Sequence, residues 1–438
     1  MGVCQLLGLV PMFGPGMRTS ALRISTAMCF RHARLALWLI GLFLSLTYLP
    51  AHAADWSVVP SLSLGASYDS NINFNFIQKQ HDFIFNVSPS VAFNYASEIN
   101  NLTGHLALNG LAYVKQPGLD TINQDYGIGA QHQITPRLAV SFNGGYILDS
   151  TSNQELITSG FVMNRTRRQS LSAGPGLSYS LTERATLSLG YSYYQTNYQD
   201  PRFADYYSHS VSLTFSYQLK NAKTALTGTI LGAYTNSPSI NNSYRNLGTY
   251  VGLQHQFSDN WKLSVSGGMN YNWYSTETAV VAFGNFVAFV RLPQTKLTTS
   301  SVSPNVNISA TRQWTKTSLT FGYTIDQVPA ASGAINQTHS GYASLTHNFT
   351  ERLTGGLQGN SYYSPSASPG SNYNSLVFFL TPSLSYQLTE KISVVSSYSY
   401  GWEDNLSSFG GFGGGQTTSK SIVWLYLRYS NPLLHYQK

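Results

Sequence analysis

Apolar and polar residues alternate with a period of two over long stretches of this chain. In "HSVSLTFSYQL" one set is Val211, Leu213, Phe215, Tyr217 and Leu219; the other is Ser210, Ser212, Thr214, Ser216 and Gln218. "RLAVSFNGGYIL", "TSLTFGYTID" and "KISVVSSYSYGW" repeat the pattern, with Leu138, Val140, Phe142, Leu319, Phe321, Tyr323, Val394 and Tyr398 on the apolar side. Successive side chains of an extended backbone point to opposite faces, so this period predicts strands. "PGLSYSLTERATLSLGYSYYQT" joins two such runs by a charged triplet, and its frame recurs. "HQITPRLAVSF", "YSLTERATLSL", "HQFSDNWKLSV", "HNFTERLTGGL" and "YQLTEKISVVS" put short turns at Thr135, Thr182, Ser258, Thr350 and Thr389. Looser copies turn near Glu98, Lys220 and Thr315.

Between these eight turns lie longer segments rich in Asn, Ser, Pro and Gly, such as "QTNYQDPRFADYY" and "NSPSINNSY". Short turns at one end and long loops at the other are the asymmetry of a transmembrane barrel. The fold expected is all-β: a transmembrane antiparallel up-and-down β-barrel of about 16–18 strands, one strand pair per turn. The strand within residues 121–134 and the fifth long hairpin are the poorly bounded parts. A soluble sandwich or propeller would set a charged face opposite the apolar one. Here the opposite face is Ser, Thr, Asn, Gln and Gly. Aromatics gather at strand ends, at residues 191–194, 271–274, 362–363 and 398–402, as in the girdles at membrane interfaces.

Composition agrees. Charged residues are 10% and aromatics 13% of the 438 residues, with 30 Tyr and 37 Gly, whereas a soluble domain carries about 25% charge. The first 53 residues differ from the rest. They hold Arg18, Arg23, Arg31 and Arg34 and no acid, then the apolar run 35–49, then Ala51-His52-Ala53. That order is a secretory signal cleaved after Ala53; the run is short of the roughly 20 residues a helix needs to span a bilayer. Residues 1–53 are thus expected to be removed and residues 54–438 to form the barrel, with the start codon at Met17 or Met28 as alternatives to Met1. Both cysteines, Cys4 and Cys29, precede the cleavage point, so the exported part has no disulfide. Four of the basic residues behind the net charge of +7 leave with the signal. The remainder is near neutral, and nucleic acid is not an expected partner.

Few constellations suggest chemistry. His132, His255 and His347 share one position of the repeat, but Tyr179, Tyr217 and Tyr386 hold the same slot elsewhere. An amphipathic ring at headgroup level accounts for both residue types, and no metal or other cofactor is expected. Pro89, Pro175, Pro304 and Pro382 recur on strands running toward the turns, where Pro is read as a bulge or curvature device. Phase places His105, Asn109, Lys115, Asp125, Gln131, Arg168, Gln254 and Asp326 inward as candidate pore lining; hydrogen bonding across a packed interior is the alternative. "NRTRRQ" sets Arg165, Arg167 and Arg168 at an outer rim. The fifth insert, "TETAVVAFGNFVAFVRLPQ", is too apolar for an idle loop. It is read as a hairpin whose tip, Phe283, Gly284, Asn285 and Phe286, constricts or plugs the lumen or meets a partner. No paired acid–His or Ser–His segment stands out, so an enzyme is not expected.

The signal segment, the opening "SLSLGASYDSNINF" and the repeated "LTER/LTEK … YSY" hairpins resemble the beta-barrel porin-2 family. That resemblance spans most of the exported chain. It implies a Gram-negative outer-membrane barrel, often associated with exopolysaccharide systems. Its expected partners are outer-membrane lipid and lipopolysaccharide, a small hydrophilic solute or polysaccharide, and the barrel-insertion machinery. Such barrels commonly end on an aromatic; here the last clear strand reaches Tyr429 and "SNPLLHYQK" follows. The function expected is passive passage of hydrophilic solutes or polysaccharide. A non-conducting accessory barrel of a polysaccharide or secretion system is the alternative.

Overall fold

The computed structural model describes residues 55–151, 165–278, 295–329, 335–365, 374–405, 416–431 and 434–436. The expected signal segment, residues 1–53, and the expected plug tip, Phe283 to Phe286, lie outside them.

The described residues form one antiparallel sheet. Its strands are β1 (Asp55–Asp69), β2 (Asp82–Ala96), β3 (Asn100–Tyr113), β4 (Thr121–Thr135), β5 (Leu138–Ser150), β6 (Arg167–Ser180), β7 (Ala185–Tyr198), β8 (Tyr206–Gln218) and β9 (Thr224–Ser237). There follow β10 (Asn242–Ser258), β11 (Trp261–Thr278), β12 (Thr295–Gln313), β13 (Thr317–Pro329), β14 (Ile335–Asn348), β15 (Leu353–Pro365), β16 (Asn374–Gln387), β17 (Ile392–Asn405), β18 (Gln416–Ser430) and the short β19 (Leu434–Tyr436). Each strand pairs with its neighbours in sequence, and β1 closes the ring on β18 from Ser61↔Ser430 to Asp69↔Ile422. The wall is a closed up-and-down barrel of 18 strands, the upper of the two counts the pattern allowed. Residues 121–134, hard to bound in sequence, form β4. The segment after Tyr429 also finds a place. β19 prolongs the closing strand, pairing Leu434–Tyr436 with residues 56–58 of β1.

The recurring turns have a shared physical cause. The Thr182 hydroxyl accepts the backbone N–H of Arg184 and Ala185 at 3.2 and 3.0 Å. Thr135, Thr350 and Thr389 do the same for the second and third residues after them. The Asn221 carbonyl copies the arrangement for Lys223 and Thr224. A side-chain oxygen that captures the turn's free donors reverses the chain in few residues.

The prolines also behave alike. Pro89, Pro175 and Pro382 each pair with the preceding strand, while the ladder to the following strand skips that Pro and the residue before it and then resumes. A residue without an N–H cannot complete that rung. Pro60 interrupts β1 in the same way, separating the β18 ladder from β19. At Pro304 the ladder stops: β12 and β13 pair only from Val306↔Ile325 to Gln313↔Ser318.

Register assigns the two faces. Aliphatic and aromatic positions such as Phe85, Leu106, Val251, Met269 and Leu425 stand outward, 56–73% exposed. Their cross-strand partners share that face. Some glycines permit close packing: Gly65 lies directly opposite Tyr426, and Gly104 opposite Phe93, each with the partner's ring where a Cβ would stand. An aromatic ring lying over a cross-strand glycine supplies the packing that the glycine lacks.

Candidate functional site

An apolar outer band this continuous needs lipid to cover it. At the turn end, Arg312 lies over Trp261 and Trp314, 5.4 and 4.8 Å from the ring centroids. Ten residues further along β11 stand Tyr271 and Trp273. At about 2.5 Å of height per tilted residue, the two aromatic levels are roughly 25 Å apart, the height of a bilayer's apolar band. The girdle expectation needs one correction. Tyr191, Tyr193, Tyr271, Trp273 and Tyr363 face outward, but Tyr194, Tyr274 and Tyr362 in the same clusters pair with lumen-facing residues. Adjacent residues of a strand cannot share a face. His132, His255 and His347 sit on the outer face, each bonded to Asn or Thr at the start of a neighbouring strand at 2.7–2.8 Å. Among the described residues no cluster has a metal-binding donor set.

Eighteen strands at about 4.8 Å spacing and 40° tilt give a backbone ring roughly 35 Å across. Side chains on opposite walls cannot meet over that distance. Yet in the loop-end half, inward polar residues are buried: Thr196, Asn272 and Ser364 are 0% exposed, Arg168 and Asn270 2%, Glu403 3%. Chain must therefore enter the lumen. A described segment that does so is the first loop, residues 70–81, here named L1. Ile72 packs on Ile84 and Tyr113 of β2 and β3; Phe74 packs on Val377, Tyr362 and Phe379 of β16 and β15. Between them the Asn71 amide donates to Thr418 Oγ1 of β18 at 3.2 Å and to the Asn75 carbonyl at 3.0 Å. Lys420 pairs with Asp69 at 2.8 Å where the loop leaves the wall. L1 is a strap from β3 across to β15. Phe74 has φ 49°, a left-handed conformation that a bulky side chain adopts only when its surroundings compel it.

From mid-height toward the turns the lining is different. His105 Nε2 lies 3.2 Å from Asp125 Oδ1 on the inner face of β3 and β4, with side chains 50% and 57% exposed. Gln131 is exposed on the same face, and Gln254 lines an inner groove with Gln218, Gln256, Lys262 and Thr311. Asn109 is half-buried, bonded to Asn86 and accepting from Ser88 Oγ at 3.1 Å. Asp326 faces inward near the end of the β12–β13 ladder and accepts from Asn305 Nδ2 at 3.0 Å. Lys115 belongs to the β3–β4 connection, where its N–H binds the Asp82 carboxylate, and its exposed amine contacts His81. Arg168 points inward but is held bidentately by Asp149 at 3.0 Å on both bonds; it is an internal brace. Arg165 donates to the Tyr113 hydroxyl at 2.7 Å and stacks on its ring. L1 was not anticipated; its one signal is Ile72 and Phe74 interleaved with Asn in a loop.

No protein-family model matches the chain, and no curated protein matches it. Among solved structures it is similar to Pseudomonas aeruginosa OccK2 (OpdF) in complex with glucuronate, at TM-score 0.44 and 12% identity over 86% of this chain and 98% of that one. It is similar to Acinetobacter baumannii OccAB1 at 0.44 and 9%, over 87% and 97%. It is also similar to the E. coli K12 ferric-catecholate import receptor Fiu at 0.42 and 9%, over 86% and 81%. Likeness at these scores carries no argument; the barrel stands on its strand pairings.

Proposed function

We propose that this protein is an outer-membrane channel through which hydrophilic solutes pass, with its turns toward the periplasm and its long loops outside. The observation that carries this is the lumen from mid-height toward the turns, whose polar inner wall leaves the His105–Asp125 pair half exposed to water. Hydrated, charged lining of that kind favours polar solutes over apolar ones. L1 is the constriction. Export by the 1–53 signal, contact with lipopolysaccharide at the outer rim, a polysaccharide cargo and assembly by the barrel-insertion machinery belong to the same reading, as does membership of the beta-barrel porin-2 family. Purified protein in a planar bilayer is expected to give stepwise conductance; persistent silence of folded, inserted protein refutes the channel.

The buried loop-end wall favours a second reading, a non-conducting accessory barrel closed by L1. The same recording separates the two, since a closed barrel stays silent.

A further inference from the structure

The wall is not continuous. β12 is the longest strand, yet its ladder to β13 is the shortest between consecutive wall strands, ending at Val306↔Ile325. Residues 295–305 pair with β11 alone, and Asp326 to Pro329 pair with β14 alone. The break starts at Asn305, beside Pro304, whose missing N–H removes one rung. At Pro89, Pro175 and Pro382 the ladder resumes after an equal gap, so proline alone does not explain the seam. The difference is Gln327. In the wall, three interstrand spacings of about 4.8 Å separate β13 from β10. Gln327 nevertheless accepts from the inward Tyr244 hydroxyl on β10, and its amide reaches Tyr274 Oη on β11 at 3.4 Å. Tyr244 and Asn246 in turn bond Asn272, which donates to Ser303 Oγ at 3.0 Å. The loop end of β13 therefore leans inward across the inner face, leaving one edge of β12 without a strand partner among the described residues.

Height gives the seam its meaning. Its foot, Asn305 and Asp326, is level with Gly268, three residues or roughly 8 Å below Tyr271. It thus opens in the upper part of the apolar band and runs up through the headgroup level. Unpaired backbone is not tolerated against hydrocarbon but is tolerated where it lines a wet path. The inner margin is polar: Asn305 and Asp326, bonded to each other at 3.0 Å, face the lumen, while Ser303, 5% exposed, lies beneath the Gln327 contacts. The outer margin is apolar: Val302 is 59% and Met269 62% exposed, with Pro304 between their strands' paired positions. Meanwhile the axial exit is crossed by L1.

We propose that the β12–β13 seam is a lateral portal joining the lumen to the outer leaflet, and that it admits single-chain amphiphiles. The polar head follows Asn305 and Asp326 while the acyl chain stays against Val302 and Met269. The portal follows from strand geometry and does not rest on the hydrophilic-channel reading. That reading fails by electrical silence, whereas the portal fails by cross-linking.

The test uses the full-length protein in liposomes. Thr311→Cys/Thr320→Cys lies in the closed ladder, where the native hydroxyls are 3.2 Å apart, and is expected to form a disulfide under mild oxidation. Ser303→Cys/Val328→Cys is the inward pair that follows Asn305 and Asp326 in the same register. A disulfide requires Cβ atoms about 4 Å apart, so its yield is expected to be lower by about tenfold or more. Equal yields mean a continuous wall and overturn the portal. In a second arm, a diazirine-bearing lauric acid in the membrane is photolysed and the labelled peptides are sequenced. Label on Asn305 and Asp326 as well as on Val302 and Met269 supports the portal. Label confined to the outward residues overturns it.

Discussion

Phe74→Ala tests whether L1 is held as a strap. The ring is 4% exposed and packs on Val377, which is 0% exposed, with Phe379 stacked 6.3 Å away. Truncating a buried Phe costs about 3–5 kcal/mol. A loop can settle back onto the gap, so the lower figure, about 3 kcal/mol, is appropriate. At about 1.4 kcal/mol per factor of ten, the displaced population of L1 rises by roughly a hundredfold. The barrel itself, closed by backbone ladders, is not expected to unfold. The assay reads this without relying on conduction. Val377→Cys is labelled by a water-soluble maleimide, and the rate is compared with and without Phe74→Ala. Background is small because the chain's own cysteines, Cys4 and Cys29, precede residue 54. The rate is expected to rise by about two orders of magnitude, in step with the open population. Phe74→Gly should raise it less, because it also releases the left-handed strain at φ 49°, of order 1–3 kcal/mol. An unchanged labelling rate in both variants would refute the strap.

Other expectations follow from the same geometry. Arg168→Ala leaves Asp149 buried without its bidentate partner and should destabilise the barrel by about 3–5 kcal/mol in urea unfolding. Arg168→Lys, a point charge in place of the fork, should recover only part of this. Asp125→Lys, in the open half of the lumen, should move the reversal potential under a salt gradient toward anion selectivity with little change in stability; no shift would remove His105 and Asp125 from the conducting path. Thr182→Ala removes the hydroxyl acceptor of the Arg184 and Ala185 N–H groups, of which Ala185 keeps the Thr182 carbonyl, and should cost about 1 kcal/mol, read as a lowered urea midpoint. Pro304→Ser with Gln327→Val restores the missing donor and removes the inward latch. The Ser303/Val328 disulfide should then form at a yield approaching that of the closed-ladder pair.

Much of the wall was legible because its determinants are local. The period of two assigns Val211, Leu213 and Phe215 to one face wherever the strand sits, and the Thr182 hydroxyl builds its turn from donors two and three residues away. Inward phase for His105, Asp125, Gln131 and Gln254 follows from the same alternation, and the strand register sets them opposite the face of the exposed aliphatics. Phase does not say whether an inward side chain meets water. Arg168 and Asp125 have the same phase; one is braced by Asp149 under a filled half-lumen, and the other stands in the open half. That difference depends on contacts between groups far apart in sequence, such as Arg168 with Asp149, that no local rule relates.

The sequence by itself determined an all-β chain with two chemically opposite faces, eight tight reversals and prolines at repeated positions. Side-chain periodicity and turn donors act over a few residues, so they survive in a bare string of letters. Closure at 18 strands through β1 and β18, the L1 strap and the seam at β12–β13 were decided only in three dimensions. Each joins groups far apart in the chain, and whether a ladder interrupted by proline resumes, as at Pro89, or stays open, as at Pro304, depends on what Gln327 meets on the inner face of β10 and β11.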